Sequence, residues 1–205
     1  MRWLWLYLRS RSVPAVAGAG FGLIATFWVL WSVFSKERDV LFPYVVLIVV
    51  VLVSAVGGTL AGNDDALDRT AAKRWVPRRF AHLLVAWAAM TGVLLATLVT
   101  SARFGPAAEV ARDTGGLLGL TALGAALLGA HRCWFLPLLW TLPAIVVVAA
   151  GSEKLTVPEQ AFTWMMQPIG NKPAALTAAV LIVAGTAAYA LRGTPPRPAS
   201  DPSPA

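Results

Sequence analysis

Side chains able to do acid–base, nucleophilic or metal chemistry are sparse in this chain. Their densest cluster is GNDDALDRTAAKRWVPRR at residues 62–79, eight charges of both signs between two long apolar runs. Paired carboxylates within apolar runs would suit hydrolysis or a proton relay, but acids are missing from the centres of all the apolar runs. Ionisable groups in such places are the usual marks of ion pathways, and their absence argues against proton-coupled transport. Neither an HExxH zinc motif nor a GxSG serine turn is present. His82 and His131 each stand alone at the end of an apolar run, a setting for packing and hydrogen bonding rather than for a metal. Cys133 is the one cysteine, which excludes a disulfide framework and a cysteine-based zinc site within one chain. The string GSEKLT (151–156) lacks the GxxxxGK[ST] spacing of a phosphate loop. No catalytic, metal or cofactor residue is therefore assigned, and the chain is expected to hydrolyse no nucleotide itself.

The charged segment must be positioned by what surrounds it. Of 205 residues, 58% are hydrophobic and only 13% charged, against about 25% charged in a soluble domain. The fold class expected is an all-α polytopic membrane protein. Apolar runs lie near 14–34, 41–61, 80–102, 114–130, 134–150 and 173–191. Each approaches the roughly 20 residues that cross a bilayer core, so six transmembrane helices are expected over 14–192. Only HRCW separates the fourth run from the fifth; Pro137 and Pro143 favour a break there over one long kinked helix. The first run is full length and lacks a convincing cleavage site, so it is taken as a span and not as a signal peptide.

Charge supports an even count of spans. With both termini in the cytoplasm, the inner segments hold 11 basic residues and four acids, the outer segments six of each. The net charge of +7 then lies wholly inside, as the positive-inside rule asks. The same rule accounts for the positive charge without nucleic acid.

Within 62–79, Asn63 can cap a helix, and Asp64, Asp65 and Asp68 sit in its first turns, where the macrodipole favours negative charge. Lys73 and Arg74 lie at the far end, and Pro77 is expected to stop it. Leu67, Ala71 and Trp75, spaced i, i+4, i+8, make a narrow apolar stripe, with Asp64, Asp65, Asp68 and Arg69 as its polar rim. The spacing predicts a short cytoplasmic amphipathic helix. A second is expected over 1–13, where Trp3, Leu4, Tyr7 and Leu8 share one face and Arg2 and Arg9 another, as in a helix lying in the headgroup plane. In the outer segment 151–172, Pro158 can start a helix and Pro168 end one. Phe162, Met165 and Met166 give it an apolar side and Trp164 suits the interface, so a short helix is expected to rest on, or dip into, the outer leaflet. Gly18, Gly20, Gly22, Gly115 and Gly119 are candidates for close helix packing, the last two spaced as GxxxG. The Pro- and Ser-rich tail 193–205 is expected to be disordered.

The order of interfacial helix, two spans, charged cytoplasmic helix, three spans, outer helix and last span resembles the type-2 ABC exporter (ABC-2) permease. DDALDRTAAKRWVPRRFAHLL also looks like that family's acidic-Arg-Thr run with a basic, Pro-containing return. The richness in Ala, Gly, Val and Arg resembles that of high-GC actinobacterial proteins. The resemblance implies a subunit in the cell membrane whose segment 62–79 is the coupling helix, gripped by a separate cytoplasmic ABC ATPase. ATP and Mg would bind in that partner. Phe162, Trp164, Met165 and Met166 would belong to the outer gate. A second permease chain, identical or paired, would complete a pathway for a hydrophobic or lipid-like substrate. The alternative is a membrane scaffold or regulatory subunit that binds a partner through the same loop and transports nothing.

Overall fold

The computed structural model describes residues 12–60, 75–151 and 155–195. The interfacial helix, Asp64, Asp65, Leu67, Asp68, Arg69 and Ala71 of the coupling stripe, and the tail beyond Pro195 lie outside the described residues. The described residues form seven α-helices: α1 Val13–Phe34, α2 Phe42–Gly57, α3 Trp75–Ala96, α4 Ala107–Leu128, α5 Phe135–Ala149, α6 Val157–Phe162 and α7 Lys172–Arg192. Short 3-10 turns follow α3, α4 and α6. The six long helices coincide with the six apolar runs.

Local sequence sets the ends. Proline stands in the first two positions of α1, α2, α6 and α7, where its missing N–H leaves no helical bond unmade. Pro77 lies within α3, two residues after Trp75, the first described residue of that helix; the segment it was expected to close lies outside the described residues except for Trp75 and Val76. The side chain of Asn171 accepts from the Ala174 N–H at 3.0 Å and caps α7. The chain breaks after α4 at Gly129, whose φ of 86° is open to glycine at little cost. It then folds back, so that the Cys133 backbone lies against Gly124. This is a hairpin rather than a kinked helix. Pro137 and Pro143, expected to make the break, both sit inside α5.

Two opposite ends can be told apart. At one, Val40 N–H donates to Arg103 O (2.9 Å) and Arg103 N–H to Arg38 O (2.8 Å), joining the α1–α2 and α3–α4 connections. Trp28 Nε1 donates to Thr100 Oγ1 at 2.9 Å, and Phe27 lies against Trp31, Tyr44 and Phe104. At the other, Tyr189 OH donates to Leu60 O at 2.6 Å, and Arg79 Nη1 to Ala190 O at 3.4 Å. That last contact places a cation on the carbonyl end of α7, where the helix dipole favours it.

The centre of the bundle is α4, which packs on α2, α3, α5 and, most extensively, α7. Its stretch Asp113–Ala122 is buried throughout. By contrast α1, α3, α5 and α7 turn large apolar side chains outward: Val33, Val85, Val146 and Leu176 are each more than 60% exposed. Such faces suit hydrocarbon rather than water.

Six spans are expected from the sequence, whereas among the described residues four helices are long and apolar enough to cross a membrane: Val13–Phe34, Trp75–Val99, Ala130–Ala149 and Lys172–Arg192. The apolar run at 41–61 yields only the 16 residues of α2. The helix at 107–128 starts earlier than the run at 114–130, and its first two turns take in Glu109, Arg112 and Asp113.

Candidate functional site

Three features come from the packing of these helices. The first is a seam. A Cβ at Gly119 would meet Leu181 C at 2.8 Å and Ile182 Cα at 2.9 Å; a Cβ at Gly185 would meet Gly119 Cα at 2.9 Å and lie closer still to its carbonyl. The backbones of α4 and α7 touch there, the close approach that small residues allow. Gly115, one turn earlier, faces Ile182 and the indole Nε1 of Trp87. Both members of the GxxxG pair thus pack as expected. The N-terminal trio divides: Gly20 abuts Leu52 at 3.1 Å, but nothing among the described residues lies within 4 Å of a Cβ at Gly18 or Gly22. Gly185 carried no sequence signal, because an Ala/Gly-rich chain offers many such positions.

The second feature is the seat of α6. The Thr156 backbone N–H and hydroxyl donate to Glu159 Oε2 at 2.7 and 2.8 Å. These bonds, the backbone one foremost, hold the Glu159 carboxyl below the usual carboxylate range. Pro158 starts the helix and Pro168 follows its terminal turn, as expected. The two ends of the segment, at 156–158 and 168–169, are exposed, but its middle is not. Trp164 and Met165 have no exposed area. The Trp164 ring lies where a Cβ of Gly116 would be, 2.7 Å from Cζ3. The glycine notch in α4 admits the indole, so burying it here outweighs placing it at an interface. Phe162 stacks on Trp140 with centroids 5.8 Å apart, and Trp140 Nε1 donates to Phe162 O at 2.8 Å. Met166 packs on the core edge. All four residues expected at an outer gate are brought together, in a packed seat.

Arg112 clamps the far end of this segment. Its Nη2 donates to Gln167 O at 2.8 Å and its Nη1 to Pro168 O at 3.4 Å, while Nε pairs with Asp113 Oδ1 at 2.8 Å. Both side chains are less than 10% exposed. In the sequence this pair registered only as outer loop charge. A partly desolvated carboxylate depends on its cation, and the carbonyls depend on the same guanidinium. Asp113→Asn is expected to lower stability by about 1.5–3 kcal/mol, the value of a hydrogen bond to a charged group. The midpoint of thermal unfolding in detergent measures it; an unchanged midpoint means that the pair contributes nothing.

The third feature is a crevice of about 210 Å3 between α1, α2 and α3. Its walls are apolar along the length, with Ile24, Leu52, Ala86 and Val93 among them, and its polar residues are Thr59 and His82. Thr59 Oγ1 and His82 Nε2 are hydrogen-bonded at 2.9 Å. His82 is thus a packing residue with a partner, as expected; His131 is exposed on the turn after α4. The crevice carried no sequence signal, because no single run shows how far α1 stands from α3. Trp75, the one residue of the coupling stripe among those described, opens α3, with the Arg78 guanidinium over its ring at 5.6 Å.

The described residues define an all-helical fold, with four helices long and apolar enough to cross a membrane. No protein-family model, curated protein or solved structure matches the chain.

Proposed function

We propose that this chain is the permease subunit of an ABC exporter of the type-2 class. A separate cytoplasmic ATPase would bind segment 62–79, and its ATP-driven movement would pass through rigid helices to the α6 region. The subunit would cross the cell membrane six times, with both termini in the cytoplasm. It would pair with a second permease chain and export a hydrophobic or lipid-like substrate. In this arrangement α2 and α4 are the spans that need help, α2 from its apolar flanks and α4 from burial of its charged first turns within the bundle.

The observation that carries the proposal is the placement of two segments at opposite ends. The charged connection between α2 and α3 leaves from the Tyr189 end, and the short capped helix before α7 is seated at the Arg112 end. Arg78, Arg79, Arg132 and Arg192 lie on elements of the first end, and the mixed charges Glu37, Arg38, Asp39, Arg103 and Glu109 on elements of the second. A lever at one end and a gate at the other is what force transfer across a bundle requires. The scaffold reading is favoured by one observation, that the α6 seat is packed shut.

Affinity purification of the tagged full chain from its native membranes tests the proposal. A protein with a GxxxxGK[ST] loop should copurify with the wild type and be lost, by at least tenfold, with Leu67→Asp and with Trp75→Ala. Failure to recover such an ATPase, or retention of it by both variants, removes the exporter assignment. Recovery of an ATPase whose turnover leaves substrate flux unchanged supports the scaffold.

A further inference from the structure

α7 is tied at both of its ends. The charged connection leaves after Leu60 and returns through α3, and both of its roots are joined to the last turn of α7. Tyr189 OH donates to Leu60 O at 2.6 Å, and Arg79 Nη1 to Ala190 O at 3.4 Å. Tyr189 and Leu60 are buried. A Cβ at Gly193 would lie 2.6 Å from the guanidinium carbon of Arg79, so that side chain is seated against the end of the helix.

At the opposite end the side chain that caps α7 also reaches the outer segment. Asn171 Nδ2 donates to Gln160 Oε1 at 3.0 Å and to Gln167 Oε1 at 3.4 Å. Gln167 Nε2 in turn donates to Thr163 Oγ1 at 2.9 Å. Both α6 and the turn Trp164–Met166 pack on α7. One helix, with side-chain hydrogen bonds at each end, therefore runs from the roots of the charged connection to the outer segment.

The seam with α4 divides that helix unequally. Gly185 lies against the Gly119 backbone, four residues from Tyr189 and fourteen from Asn171. At the rise of an α-helix the two arms are about 6 Å and about 21 Å long. Backbone on backbone leaves no side chain to yield, so α7 can rock on this contact but cannot sink into α4. A displacement at the short arm is enlarged roughly threefold at the long one.

We propose that α7 is a rocker: it takes displacement from the two roots of the charged connection, pivots on the Gly119–Gly185 contact and moves the outer segment through Asn171. Tyr189 and Arg79 are positioning residues of the short arm, Asn171 and Gln160 of the long one. The rocker rests on the exporter reading for the source of its force, but the linkage itself belongs to a single chain.

Hydrogen–deuterium exchange of the full chain in nanodiscs, with no partner present, tests this. Tyr189→Phe keeps the ring and removes only the tie to Leu60, which frees the short arm. The amides of Gln160, Thr163, Met166 and Gln167, all hydrogen-bonded within the outer segment, should then exchange at least fivefold faster. Coupling between two sites is reciprocal. Gln160→Ala at the outer end should therefore speed exchange at least twofold at Leu60 and Gly193, whose amides are bonded to Gly57 O and Tyr189 O. Trp28→Phe breaks a bond of similar length between α1 and Thr100 and should alter neither set. Unchanged outer amides in folded Tyr189→Phe overturn the rocker. A rise spread equally over α1 and α5 does so too, because it marks general loosening, and so does a Gln160→Ala effect confined to its own segment. If Tyr189→Phe does not fold, Arg79→Gln cuts the other inner tie and is held to the same outcomes. Because no ATPase takes part, failure here leaves the copurification result standing, and failure to recover an ATPase leaves the linkage standing.

Discussion

Gly185→Leu is expected to abolish the folded bundle, and Gly185→Ala to lower its stability by about 3 kcal/mol or more. Overpacking a core with flexible neighbours costs about 1–3 kcal/mol. Here the neighbour is the carbonyl group and Cα of Gly119, which cannot rotate away. Relief requires α4 and α7 to part, and theirs is the most extensive helix pairing in the molecule. Parting them would also strip cover from Leu181 and Ala178, both buried on α7. Gly119→Leu should behave alike, since its Cβ would meet the backbone of Leu181 and Ile182. Gly18→Leu and Gly22→Leu are the matched controls: nothing among the described residues lies near either, and both should yield monodisperse protein with an unchanged unfolding midpoint. Size-exclusion profiles and thermal unfolding in one detergent measure all four. Normal melting of Gly185→Leu would show that the two backbones do not touch.

That contrast also shows which parts of the molecule were readable in advance. Helix positions were, because four of the six apolar runs and the segment 151–172 carry their own punctuation: Pro14, Pro43, Pro158 and Pro173 at starts, Gly129 and Gly193 at ends. The number of spans was less readable than the number of helices. Whether Glu109, Arg112 and Asp113 are outer loop or first turns of a buried helix depends on what covers them, and the cover is Gln167 and Pro168, more than fifty residues away. Phe162, Trp164, Met165 and Met166 were singled out by type and spacing, but the full burial of Trp164 and Met165 was not readable. An aromatic beside two methionines reads equally as a surface belt or a plug until Gly116 is known to face it. The coupling residues Asp64 to Ala71 rest on helical spacing and charge order alone.

Trp164→Ala is expected to cost about 3–5 kcal/mol, as for other large aromatics removed from a core, and to release the segment Thr156–Gln167 from α4. The ring is fully buried, so its loss leaves a cavity over Gly116 that α4 cannot close without separating from α7. One term runs the other way. The indole Nε1 is buried with no hydrogen-bond partner among the described residues, and an unsatisfied donor costs about 1–3 kcal/mol. Trp164→Phe removes that donor while keeping an aromatic ring in the notch. It should therefore be far milder than the alanine change and close to wild type. Gly116→Ala should resemble Trp164→Ala in consequence though not in cause, because its methyl group occupies the place of the ring. Release can be read separately from stability. Thr163 is fully buried beside the indole, so a cysteine introduced there should react slowly with an impermeant maleimide. It should react at least tenfold faster once Trp164→Ala or Gly116→Ala is added, and at the original rate with Trp164→Phe. If the indole holds the outer segment shut, reactivity must follow the filling of the notch rather than the midpoint of unfolding. A Thr163→Cys protein that reacts equally fast with and without the tryptophan would mean that the segment is open already, and that Trp164 gates nothing.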